Sequence, residues 1–78
     1  MPPQTLIEKQ YLELVDDPIS GVSYIRLKKS GDNAGHVHYD KRWQQWVWEP
    51  EAEFYHSSGC LRDISDILAE LNKTHPNG

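Results

Sequence analysis

The stretch His36-Val37-His38-Tyr39-Asp40-Lys41-Arg42-Trp43-Gln44-Gln45-Trp46-Val47-Trp48-Glu49-Pro50 alternates in character twice, once on each side of a polar turn. Successive side chains of an extended strand point to opposite faces. Val37 and Tyr39 therefore share one face, and His36, His38 and Asp40 share the other. Asp40-Lys41-Arg42 supplies a tight turn, after which Gln45 to Glu49 sets Trp46 and Trp48 on one face. Two strands joined by so short a connection pair antiparallel. Pro50 cannot donate to a ladder, so it ends the second strand or marks a sheet edge.

Upstream, Gly21 to Lys29 reads as another strand, with Ile25 and Leu27 on one face and Tyr24, Arg26 and Lys28 on the other. Ser30-Gly31-Asp32-Asn33-Ala34-Gly35 is dense in turn formers and closes a hairpin onto His36. Downstream, a short fourth strand is compatible with Phe54-Tyr55-His56. Leu61, Ile64, Leu68 and Leu71, widened by Ile67, recur at helical spacing. Ser57 or Ser58 is the expected cap of this helix. Asp63 and Asp66 lie early and Lys73 late, as the helix dipole favours. Residues 1–20 admit two readings. Thr5-Leu6-Ile7-Glu8 has the form of a capping box for a helix ending before Asp17-Pro18. Tyr11-Leu12-Glu13-Leu14-Val15 also alternates as a strand, with Asp16 to Gly21 as a hairpin loop, and this reading is preferred. The expectation is a single α+β domain over 1–78. It comprises an N-terminal segment of open structure (1–20), an antiparallel meander of three or four strands (21–57), an amphipathic helix across one face (58–73) and a tail (74–78).

Seventy-eight residues exclude a two-domain enzyme, and a core this small is compatible with a homodimer. Cys60 is the single cysteine, so no internal disulfide staples the fold, and a reducing compartment is expected. No run is apolar enough for a membrane span, and Met1-Pro2-Pro3-Gln4 does not open like a signal peptide. A cytoplasmic location without a membrane partner follows as an expectation. The net charge of −4 divides unevenly. Glu8, Glu13, Asp16 and Asp17 make residues 1–20 acidic. Arg26, Lys28, Lys29, Lys41 and Arg42 make 21–45 basic, and acid returns from Glu49 onward.

Each candidate site has an ordinary structural alternative. His-x-His at His36 and His38 is a spacing that metal sites use, with Asp40 beside it and His56 or Cys60 as further ligands. One strand supplies only part of such a set, so no metal and no cofactor is assigned. Cys60 at a helix start could be an activated thiol, yet it borders the apolar stripe and no base pattern accompanies it. No catalytic residues are assigned and the chain is read as a non-enzyme. Arg26, Lys28, Lys41, Arg42 and Trp43 form a candidate nucleic-acid face, with Trp43 partly exposed, against Arg42 as a cation–π pair. Glu49, Glu51, Glu53, Asp63, Asp66 and Glu70 form a candidate acidic face for a protein partner, Asp63, Asp66 and Glu70 lying on the solvent side of the helix.

The Tyr39-Asp40-Lys41-Arg42-Trp43 turn, the aromatic strand ending in Pro50, and Cys60-Leu61-Arg62-Asp63-Ile64 at the helix start together resemble a group of uncharacterised small phage and prophage proteins. The resemblance covers roughly residues 24–71 and carries no catalytic residue. It implies a phage setting, in which small acidic proteins bind and inhibit host proteins, as anti-CRISPR proteins do. The expected function is thus a non-enzymatic protein that binds and modulates a host protein or complex, with a DNA- or RNA-binding accessory as the alternative.

Overall fold

In the computed structural model, residues 3–51 and 57–78 are described. The elements run β1 (Gln4–Glu8), β2 (Leu12–Asp17), β3 (Val22–Leu27), β4 (Asn33–Asp40), β5 (Gln45–Pro50) and α1 (Ser58–Thr74). The strands form one antiparallel sheet in chain order, so the α+β meander stands, with five strands rather than three or four. The strand considered at Phe54-Tyr55-His56 lies outside the described residues, as do Glu53 and His56 themselves.

The extra strands come from the N-terminal segment. β2 is the strand read at Tyr11 to Val15, shifted to Leu12–Asp17. Thr5-Leu6-Ile7-Glu8 is not a capping box: it lies inside β1, an edge strand paired to β2 with a register shift between Thr5 and Ile7. The hairpin of β3 and β4 also differs from expectation. β3 ends at Leu27, the turn occupies Lys28 to Asp32, and β4 begins at Asn33 rather than His36. Ala34 and Gly35, read as turn residues, are buried in the ladder beside a shift in register between Ile25 and Arg26.

One face of the sheet carries the core. Leu12, Leu14, Ile25, Ala34 and Val37 pack with Ile64, Ile67 and Leu71 of α1, and Ile7, Leu27, Trp46, Trp48, Cys60 and Leu68 close around them. Burying a Leu or Ile side chain stabilises by about 1.5–3 kcal/mol, so this cluster is what holds the helix to the sheet. The helix lies against β5 and β2. Ser57 caps it, its Oγ accepting from the Cys60 N–H at 3.1 Å.

Two features of α1 depart from the sequence reading. Leu61, placed on the apolar stripe, is 45% exposed, whereas Asp63, placed on the solvent side, is only 8% exposed. Asp63 is three residues from Cys60 and four from Ile67, so it shares their buried face. The polar group is tolerated there because its Oδ2 accepts a hydrogen bond from the Tyr11 N–H at 2.8 Å. Moreover, the first turn of α1 holds no acidic residue, so Asp63 and Asp66 lie too far along to compensate the dipole. Lys73 does sit in the last turn.

The free edge of β5 is partly closed by the helix. The Trp46 N–H donates to Asn72 Oδ1 at 2.8 Å, and its indole Nε1 donates to the His75 carbonyl at 2.9 Å. No helix among the described residues is long and apolar enough to cross a membrane.

Candidate functional site

The outer face of the sheet, away from α1, collects the alternate residues of each strand. In β2 and β3, Glu13 stands opposite Arg26 and Val15 opposite Tyr24. In β4 and β5, His36 stands opposite Glu49 and His38 opposite Val47. This alternation makes His36, His38 and Glu49 neighbours. The two imidazoles stack with ring centroids 5.5 Å apart and planes inclined by 25°. His36 Nε2 lies 3.3 Å from Glu49 Oε2, and His38 Nε2 lies 3.5 Å from Glu49 Oε1. One carboxylate thus faces both rings, one oxygen to each. His38 Nδ1 is buried and has no hydrogen-bond partner among the described residues.

Glu49 was assigned to the acidic partner face, and its pairing with the histidines escaped the sequence reading. The signal was present in the turn. With Asp40 paired to Gln45, counting back along β4 and forward along β5 brings His36 opposite Glu49. Asp40, the carboxylate considered beside the histidines, is otherwise engaged. Its Oδ1 accepts from the Arg42 N–H at 2.8 Å and the Trp43 N–H at 3.2 Å, and these hydrogen bonds, with Arg42 nearby, hold its carboxyl below the ordinary range. Cys60 belongs to the helix-side core, on the opposite side of the sheet from the histidines, so it does not complete a ligand set with them.

The basic residues do not form one surface. Arg26 is held by Glu13, with Nε to Oε1 at 2.7 Å and Nη2 to Oε1 at 2.6 Å, and this contact stabilises the charged guanidinium. Lys28 reaches Glu8 at 2.6 Å and the Lys9 carbonyl at 3.1 Å. Lys41, Arg42 and Trp43 sit in the turn at the other end of β4, whose eight residues span roughly 23 Å at the usual strand rise. At that turn Trp43 is 67% exposed, in keeping with expectation. Arg42, whose side chain is 88% exposed, reaches Asp40 at 3.7 Å instead of forming the expected cation–π pair.

The acidic residues are divided too. Glu49 faces outward from the sheet with the histidines, Asp63 is buried under Tyr11, and Glu51 is exposed just beyond β5. Asp66 and Glu70 remain together, exposed one turn apart on the outer side of α1, and neither makes an ion pair among the described residues. Comparison of the chain with protein-family models, curated proteins and solved structures finds no match.

Proposed function

We propose that this chain is a non-enzymatic binding protein whose exposed helix carboxylates, Asp66 and Glu70, engage a basic surface on a partner protein. A phage setting, with a host protein or defence complex as target in the manner of anti-CRISPR proteins, is the form this reading takes. The observation that carries it is an asymmetry in neutralisation. Arg26 of β3 and Lys28 of the turn that follows it already have carboxylate partners on neighbouring strands, whereas Asp66 and Glu70 have no ion pair among the described residues. Unneutralised charge on a rigid helix can steer association and set its orientation.

A second reading rests on Trp43, exposed beside Lys41 and Arg42 and available for stacking on a nucleobase. Charge-reversal variants separate the two. The wild-type chain, D66K/E70K and K41E/R42E are each used to capture proteins from host lysate, and each is titrated against duplex and single-stranded nucleic acid at low salt. The partner-protein reading expects a stoichiometric protein partner that D66K/E70K loses and K41E/R42E retains. Salt-sensitive nucleic-acid binding, lost in K41E/R42E and kept in D66K/E70K, overturns it.

A further inference from the structure

We propose that His36, His38 and Glu49 bind a divalent transition metal of the zinc type, with a fourth coordination position open to solvent. Three ligands of types suited to such ions, two imidazoles and a carboxylate, converge here, and one donor atom from each lies within 4.8 Å of the others. The His36–Glu49 and His38–Glu49 separations are 3.3 and 3.5 Å. These two contacts end on different oxygens of Glu49. Tetrahedral zinc with ligands at about 2.0–2.1 Å requires donor atoms about 3.3–3.4 Å apart, so with one carboxylate oxygen as the ligand one edge of the ligand triangle is already near length. The other two edges close from within 4.8 Å by rotation of the imidazole and carboxylate side chains.

The scaffold supports this arrangement. His36 and His38 come from one strand, and Glu49 is the direct register partner of His36 on the next. The ligands therefore sit on paired backbone rather than on a loop. Each side chain is partly open to solvent, which gives the ion an entry path and leaves room for water as the fourth ligand. Binding replaces any proton on each Nε2 by the metal and leaves the ring proton on Nδ1. At His38 that Nδ1 is buried without a partner among the described residues. Metal-bound histidines ordinarily donate this proton to an acceptor, and losing such a partner weakens sites by about 10–100-fold. The affinity expected is therefore micromolar, below that of a fully supported structural zinc site.

The test is a titration of the full chain with Zn²⁺ against a colorimetric zinc chelator in the presence of excess Mg²⁺, with Co²⁺ as a spectroscopic substitute. One equivalent of zinc with micromolar affinity is expected, together with the visible bands of four-coordinate cobalt. H36A, H38A and E49Q each weaken binding by at least about tenfold, while D40N and C60S leave it unchanged. Circular dichroism checks that each variant is folded. In the wild-type chain, zinc-induced shifts of the Nε2 resonances of His36 and His38 provide a readout that needs no variant. Absence of zinc uptake by the wild-type chain, uptake that survives the H36A/H38A double substitution, or loss of uptake in C60S would overturn the proposal.

Discussion

The Asp63 carboxylate and the Tyr11 backbone N–H are 52 residues apart in sequence and 2.8 Å apart in space. This hydrogen bond joins the second turn of α1 to the turn between β1 and β2. Nearby, a Cβ added at Gly59 would stand 2.9 Å from Cε2 of the Tyr11 ring, so the start of the helix is fitted closely to that same turn. D63A leaves the Tyr11 N–H without its acceptor and is expected to cost about 1–3 kcal/mol in urea denaturation. D63N keeps an acceptor and should recover part of that loss. Equal stability of D63A and wild type would show that the contact contributes nothing.

Among the glycines, Gly35 is the least tolerant of a side chain. Its φ is +132°, and a Cβ there would stand 2.3 Å from the Glu49 carbonyl oxygen and 2.8 Å from Pro50 Cα. Both obstacles are backbone of the neighbouring strand and cannot swing away. G35A should lose roughly 3 kcal/mol or more, combining backbone strain with overpacking. Far-UV circular dichroism with a denaturant titration measures this directly.

Trp43 and Trp46, three residues apart, should behave oppositely. Trp43 is largely exposed, and W43A is expected to change stability by no more than about 0.5 kcal/mol. Trp46 packs against the core, meets the Tyr39 ring edge-on with centroids 5.9 Å apart and hydrogen-bonds at both of its nitrogens. W46A should cost about 2 kcal/mol or more. Acrylamide quenching of the W43A variant, compared with wild type, should show that the most accessible emission has been removed.

Acid sensitivity has a definite sign. Hydrogen bonding and attraction from Lys28 lower the Glu8 carboxyl below its ordinary value, and the turn N–H groups of Trp43 and Arg42 lower Asp40. Both groups bind protons less readily in the folded chain than in the unfolded one. Their stabilisation is present above the unfolded values, near pH 4, and is lost as pH falls through the folded values. D40N preserves the turn acceptor while removing the charge. Its melting temperature should therefore fall less steeply than that of wild type between about pH 4 and pH 2. An identical slope would remove Asp40 from the acid response.

The elements legible in sequence were those with a strong period and one buried face. β3, β5 and α1 were placed to within a few residues because Ile25, Trp46, Trp48, Ile64, Ile67 and Leu71 repeat at the spacing of their secondary structure. β1 was obscure for the opposite reason. It is an edge strand, mostly exposed and irregular near Leu6, so nothing selects an alternating pattern. β2 was ambiguous because Leu14 and Val15 are both fully buried although adjacent, Val15 lying outside the helix-side cluster beside Thr5 and Tyr24. Helical spacing from Cys60 and Ile67 sets Asp63 on the buried face, but periodicity could not reveal the donor that its carboxylate answers, which lies in a distant turn. The histidine pair was visible as a motif, but its carboxylate came from the strand partner, which only the hairpin register identifies.

The strand order β1-β2-β3-β4-β5 also sets how quickly this chain can fold. Each strand finds its partner by closing a short hairpin, a search over few residues with a small loss of loop entropy. The sheet can therefore assemble by successive local zipping, while the docking of α1 onto β2 must close most of the chain. D63A removes a contact made across that long closure. If helix docking follows the rate-limiting step, the substitution should accelerate unfolding and leave the refolding rate nearly unchanged.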